Sequence, residues 1–474
     1  MIMRISSDKL AGSARLARAI RTSASARTAL LALVVGVTAI QSPSLASVES
    51  TKPYGLDSRP VVSTPYRLMP QAASGKFPAL LSQTGIFDDV RTLSPSKTLI
   101  PYDLILAFWS DGADKSRWIS LPKGKVNFSS DGEWEFPDGT IFVKHFDLPV
   151  DDTDPSVKRR LETRLLVRDR NGGVYGVTYK WRPDNSDADL LTTAVKENIT
   201  IKTAAGTRSQ TWYYPSRKDC LTCHTANAGG VLGVKTRQMN RDFTYPSGVT
   251  DNELRAWNHI GMFDHGLSDS EIATLPKLAA TNDATRSVED RGRSYLDANC
   301  SQCHRPGGTV ANFDARYTTP LAKQALIGGA VVIDENIDRS RVIAPNDIWR
   351  SILFMRVDTN DTFRMPPLAR MTIDKAGVEL LRQWIHSMPG PPVLDPPIMS
   401  PPGGGFDKTV TVTLRETEPG AVIHYTLDGS EPTTSDPVYA APLSLTEPEV
   451  VRARAYKQGF TRSITAQQVF VPRS

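Results

Sequence analysis

The chain has 474 residues, of which 40% are hydrophobic and 23% charged, an ordinary balance for folded domains that excludes a disordered chain and a polytopic membrane protein. That length suits about three domains, each with its own core. The formal charge of +5 resides wholly in residues 1–46, where Arg4, Lys9, Arg15, Arg18, Arg21 and Arg27 face only Asp8, so the rest of the chain is near neutral. A basic surface for nucleic acid or an anionic membrane has no support, and no nucleic-acid partner is expected.

In chain order, those six cations precede an apolar run from Ala29 to Ile40, and Ser44-Leu45-Ala46 offers small residues for cleavage before Ser47. This pattern is an export signal, residues 1–46. The run is too short for a stable transmembrane span. The mature chain is therefore expected in the periplasm, or secreted or at the cell surface, of a Gram-negative bacterium.

Residues 75–210 read as a β-rich domain. Turn signals recur at Trp109-Ser110-Asp111-Gly112, Ser130-Asp131-Gly132 and Pro137-Asp138-Gly139, with aromatic and β-branched residues between them. Leu161, Thr163, Leu165 and Val167 alternate with polar residues up to Arg170-Asn171-Gly172-Gly173, and Tyr175, Val177, Tyr179 and Trp181 return along a second arm. This predicts a hairpin whose one face must be covered, as in a sandwich. No catalytic constellation is present there, and His145 reads as a packed or surface residue.

Residues 211–284 hold Cys220-Leu221-Thr222-Cys223-His224, and Asn299-Cys300-Ser301-Gln302-Cys303-His304-Arg305 repeats the spacing. A lone copy could be a redox dithiol or half a zinc site. Two copies consume all 4 cysteines, and none remains for a disulfide or for a further C-x-x-C partner. In an exported chain this pattern points to covalent haem: two thiols add to the haem vinyl groups, and the next residue offers imidazole to iron. The cofactors expected are two covalently bound haem c groups, with Cys220, Cys223, His224, Cys300, Cys303 and His304 as binding residues and iron held by His224 and His304.

Around these motifs helices are expected. Thr250 with Glu253, and Ser268 with Glu271, read as capping boxes. Val288, Gly292, Tyr295 and Leu296 share a helical face entering Cys300, where Gly292 lets another helix approach. Thr372 with Asp374 opens a second amphipathic helix carrying Val378, Leu381, Trp384, Ile385 and Met388. Residues 391–405, rich in proline and glycine, read as a linker. Alternation then returns in residues 406–474, predicting a small Ig-like β-sandwich.

Residues 285–390 resemble a class I cytochrome c domain, through the glycine-bearing helix, the Cys300/Cys303/His304 motif, Met365 before Pro366-Pro367 and the closing helix with Trp384. That resemblance implies His304 and Met365 as axial ligands. Residues from about 77 to 390 look like exported dihaem c-type cytochromes of bacteria, through Phe136-Pro137-Asp138-Gly139-Thr140-Ile141-Phe142-Val143-Lys144, Tyr214-Pro215-Ser216, the first cysteine motif and Lys235-Thr236-Arg237-Gln238-Met239-Asn240-Arg241. Met239 precedes the Thr250 helix much as Met365 precedes the Thr372 helix, which makes it the favoured sixth ligand of the first haem over Met262, His259 and His265. The run from Ile423 to Pro432 resembles a chitobiase/β-hexosaminidase C-terminal domain, an accessory module type that does not imply hydrolysis.

The expected fold class is multidomain: a β-rich N-terminal domain, mainly α cytochrome c-type haem domains and a C-terminal Ig-like β-sandwich. The expected function is electron transfer between a periplasmic dehydrogenase or cytochrome and an acceptor, as a carrier more than a stand-alone enzyme. Two alternatives are a peroxidase- or oxygenase-like dihaem enzyme with an open first haem, and a redox module attached to polysaccharide through the C-terminal module.

Overall fold

The computed structural model describes residues 52–309 and 312–473; the export segment at 1–46 lies outside them. After a short hairpin of β1 (Phe87–Asp89) and β2 (Ser94–Pro95), six strands form one antiparallel sheet in chain order: β3 (Ile100–Pro101), β4 (Asp114–Ser120), β5 (Ile141–Pro149), β6 (Lys158–Arg168), β7 (Val174–Trp181) and β8 (Ala188–Leu190). Register rows Ile141–Val167–Tyr175 and Val143–Leu165–Val177 put these side chains on one face, packed on Leu81, Ile86 and Leu99. His145 is buried, its ring nitrogens against Thr163 (2.8 Å) and Asp147 (3.2 Å).

The expected sandwich partner for this sheet is corrected. Phe142 and Leu166 make the opposite face apolar too, and that face packs on the segment carrying the first cysteine motif. The hairpin of β9 (Val195–Thr203) and β10 (Gly206–Tyr214) covers only one end, packing Ile199, Ile201 and Trp212 against Phe146, Leu148 and Leu161.

The motif segments contain α1 (Arg217–Cys223), α2 (Thr236–Met239), β11 (Asp242–Thr244), β12 (Thr250–Asn252), α3 (Glu253–His259), α4 (Asp269–Thr274), α5 (Val288–Asn299), α6 (Ile352–Val357) and α7 (Lys375–His386). The expectation of mainly α cytochrome c-type domains is thereby corrected: strands make up 29% and helices 15%, in seven helices, among the described residues. The physical reason lies in the long excursion after Cys300. Ala325, Glu335, Asn336, Arg339 and Asn346 all adopt positive φ there, a conformation that interrupts right-handed helix.

Local signals near the motifs also differ in part. Ser268 and Glu271 form the expected box. At α3, however, Asn252 is the cap, and Thr250 belongs to β12. Asp374 alone caps α7 by accepting from Gly377 N. Helices α5 and α7 cross closely: a Cβ on Gly292 would lie 2.6 Å from the Trp384 ring, and one on Gly377 would lie 2.4 Å from Tyr295.

The C-terminal module has two sheets, β13 (Ile398–Ser400), β15 (Val410–Arg415) and β17 (Leu443–Leu445) facing β14 (Gly404–Phe406), β19 (Ala466–Pro472), β18 (Glu449–Tyr456) and β16 (Val422–Thr426). Phe406, Val412, Ile423, Val451 and Phe470 fill the space between them. Two of these strands lie in the stretch read as linker at 391–405; edge pairing tolerates its prolines and glycines. The module is docked on the preceding part by Asp338, which accepts from Arg350 (3.1 Å) and Arg462 (2.9 Å). No helix among the described residues is long and apolar enough to cross a membrane.

The two motif segments are joined by a buried ion network. Arg237 on α2 donates twice to Asp297 on α5, at 3.1 and 3.0 Å, and Lys235 lies 3.3 Å from the same carboxylate. Arg305, just past the second motif, donates to Glu133 at 3.0 Å. Burial pushes the Asp297 pKa upward, but Lys235 and Arg237 outweigh it and hold the carboxyl well below its usual range. A depressed folded pKa contributes stability that is fully present above the unfolded value of about 3.9 and is lost on acidification below it. Asp297→Ala leaves two buried cations without this partner, so urea unfolding at pH 7 is expected to show a loss of about 3–5 kcal/mol.

Candidate functional site

The first motif sits on α1, and its short length follows from its neighbours. Pro215 ends β10, Ser216 caps the helix by accepting from Asp219 N, and Asp219 accepts from Ser216 N (2.8 Å) and Tyr213 O–H (2.8 Å). The helix lies directly on β7 because residue 176 is glycine: a Cβ there would be 2.7 Å from both Cβ and Sγ of Cys220. Beside it opens a cavity lined by Cys220, Cys223 and His224, with Leu104, Phe108, Phe142, Leu166 and Leu232 as apolar walls. Lys144, Arg164, Lys235 and Arg305 supply cations to the same lining.

His224 is presented as a neutral donor to a metal. Its Nδ1 lies 2.9 Å from the Gly230 carbonyl. Since a carbonyl only accepts, Nδ1 carries the proton and Nε2 keeps its lone pair. Burial lowers its pKa to about 4, with Lys144 and Arg164 acting in the same direction, so the imidazole is uncharged at pH 7.

The second motif follows α5 and borders a separate cavity lined by Cys300, His304 and Met365, with Val331, Val342, Leu353 and Phe313. His304 stacks on Phe313 with ring centroids 4.4 Å apart. Burial, helped by Arg356, lowers its pKa to about 4, while its buried Nδ1 has no partner among the described residues. Met365 is brought here by Arg370, whose side chain is 1% exposed. That guanidinium donates to the carbonyls of Met365 (2.8 Å), Val357 (2.6 Å) and Thr372 (3.2 Å).

Met239 is not brought to the first cavity, so its expected role as sixth ligand is corrected. It is fully buried with Leu254, Trp257 and Met262 in the core beneath the sheet. The single turn of α2 aims the neighbouring Gln238 at the cavity instead, and that side chain is bonded both ways to the Leu106 backbone at 2.9 Å. Among its rivals, His259 stacks on Tyr54 at 3.6 Å and His265 pairs with Asp264 at the surface. Among the described residues no methionine, and no histidine besides His224, lines this cavity.

The two motifs touch. The Cys223 and Cys303 thiols share a hydrogen bond, which raises the pKa of Cys223 and lowers that of Cys303 to about 7. The loops behind them interlock, Asn227 Nδ2 donating to the Pro306 carbonyl (3.2 Å) and Arg305 Nη1 to the Asn227 carbonyl (3.1 Å). Burial raises the Cys300 thiol to about 12.

The expectation of metal binding needs correction where it concerns donors from the chain. Among the described residues no group of three or more His, Cys, Asp or Glu side chains could hold a metal ion. Iron would have to arrive inside a group that brings further donors of its own, held by the cysteines and histidine of each motif. Each pairs a largely apolar slot with two cysteines at or beside its wall and one neutral imidazole. The first adds cations suited to carboxylates and the second adds a thioether. The residues fit the group.

Several residues that build the site read only as turns or core in the sequence. Trp109 N donates to Asn299 Oδ1 (2.8 Å), and Asp111 accepts from Met371 N and Thr372 N (both 2.8 Å), so this turn docks the sheet domain onto α5 and the loop before α7. Glu133, Gly176 and Arg370 carried no signal. Lys144, Lys235 and Gln238 lay in the quoted stretches Phe136–Lys144 and Lys235–Arg241, whose convergence on one cavity could have exposed them.

Comparison with known proteins adds one assignment. No cytochrome c family matches, and no curated protein matches the chain. Residues 401–467 match the family described as chitobiase/beta-hexosaminidase C-terminal domain.

Proposed function

We propose that this chain is an exported dihaem electron-transfer protein, with one haem held at Cys220, Cys223 and His224 and the other at Cys300, Cys303 and His304. The observation that carries this reading is that Asp297, Ser301, Gln302 and Arg305, around the second motif, line the cavity at Cys220, which makes the two cavities neighbours. The resemblance of residues 77–390 to exported dihaem proteins supports it. A bound haem supplies one-electron exchange between ferric and ferrous iron. The chain supplies the rest: His304 and Met365 face one cavity from opposite segments, Arg370 fixes the methionine loop, and apolar walls keep bulk water from the iron. Imidazole with thioether raises a haem potential relative to two imidazoles, so Met365 would set a high potential at the second site. The partner is a redox protein, a dehydrogenase or another electron carrier, and the module at 401–467 is an accessory domain suited to polysaccharide attachment.

A second reading is favoured by the position of Met239. With that side chain in the core, the Cys220 site is open opposite His224, as a peroxidase- or oxygenase-like centre requires.

Reductive titration of the exported protein tests the first reading. Two haem transitions are expected, and Met365→Ala should lower the midpoint of the higher one while leaving the other in place; a protein without a redox-active chromophore overturns it. Carbon monoxide titration of the reduced protein separates the two readings. No binding is the result the carrier reading predicts, and one equivalent bound per chain would overturn it in favour of the second reading.

A further inference from the structure

The cavity beside Cys220 contains a cation that the chain itself does not neutralise. Lys144 lies between two arginines in lateral register, opposite Arg117 on β4 and Arg164 on β6, and its side chain lines the cavity. Both arginines have carboxylates. Arg117 pairs with Asp103, which also accepts from Arg241 at 3.0 Å. Arg164 pairs with Glu162 through two bonds, and Glu162 also accepts from Trp212 at 3.1 Å.

The three carboxylates in the cavity lining are committed as well. Glu133 serves Arg305, Asp297 serves Arg237 and Lys235, and Asp219 serves Tyr213 and Ser216. Lys144 has no ion pair of its own among the described residues: Glu162, the carboxylate that acts on it, is bonded to Arg164, and the Phe146 ring lies 5.4 Å from Nζ. Lys144 is half-buried; a partly desolvated cation without a counter-charge is costly, and two flanking arginines add to that cost. The arrangement is poised to receive an anion from the cavity side.

We propose that Lys144, supported by Arg164, is the positioning residue that holds a propionate carboxylate of the haem attached at Cys220 and Cys223. This rests on the dihaem reading above. A haem carries two carboxylates on the edge away from its vinyl groups, and the vinyl edge is fixed by the two cysteines. The ammonium then neutralises one propionate and favours the reduced iron, because added positive charge nearby stabilises the lower oxidation state.

The test uses a full-length chain carrying Cys300→Ala and Cys303→Ala, so that the Cys220 haem is observed alone, with Lys144→Met and Lys144→Arg built on it. Intact mass first establishes that the background protein carries one haem; if it carries none, the dihaem reading fails and this proposal falls with it. With haem present, Lys144→Met is expected to shift the midpoint downward without changing the spin state, and Lys144→Arg is expected to restore most of the shift. An unchanged midpoint in Lys144→Met overturns the proposal. A switch of the oxidised protein from low to high spin in that variant also overturns it, since Lys144 would then be a ligand to iron.

Discussion

Asp297, Arg237 and Lys235 meet where there is no water to share, and the rest of the site depends on that meeting. Asp297 stands one turn before Cys300 on α5, while Lys235 and Arg237 stand on the segment that follows the first motif. An isolated carboxylate at that depth would lose its charge, and two isolated cations would be expelled. Together they satisfy one another, and in doing so they fix the two cysteine motifs at a single relative position. Glu133 and Arg305 extend the same arrangement to the loop before β5 and to the residue after His304. Neither motif is therefore a self-sufficient domain.

That dependence explains why a largely β chain can serve chemistry usually hosted by helices. The sheet presents two apolar faces. One makes an ordinary core, and the other becomes the wall of the cavity at Cys220, where Gly176 allows α1 to lie flat on β7. The cysteines need only one short turn of helix to be spaced correctly. Both imidazoles are kept neutral by burial, one with its Nδ1 proton directed to Gly230 and the other stacked on Phe313. The cavities differ in what lines them beside the imidazole: a thioether whose loop is held by Arg370 in one, and glutamine and lysine in the other.

The sequence made plain what is written in local spacing. The cysteine motifs, the hairpin through residues 170–173, the Ser268 box and the alternation of the C-terminal module are each set by residues within a few positions of one another. Gly292 was legible too, since a glycine on a helix face with aromatics nearby invites a close crossing. What was hidden is written in tertiary contact. Met239 and Met365 have similar sequence surroundings, yet one packs with Trp257 in a core and the other faces His304. A single turn of backbone rotation in α2 decides this, and no spacing rule records it. The class I domain reading failed for a related reason, because two good helices and a motif do not reveal that the fifty residues after Cys300 turn repeatedly through positive φ. Trp109 to Gly112 read as a turn, and its docking role toward Asn299 and Thr372 spans well over a hundred residues of chain.

The central claim is that both cysteine motifs carry covalent haem. Intact-mass spectrometry of the chain exported from a host able to attach haem tests it most directly. The account predicts a mass above that of the processed polypeptide by two haem groups, falling by one in Cys220→Ala/Cys223→Ala and by one in Cys300→Ala/Cys303→Ala. A mass equal to the bare polypeptide, with or without a disulfide, would contradict it.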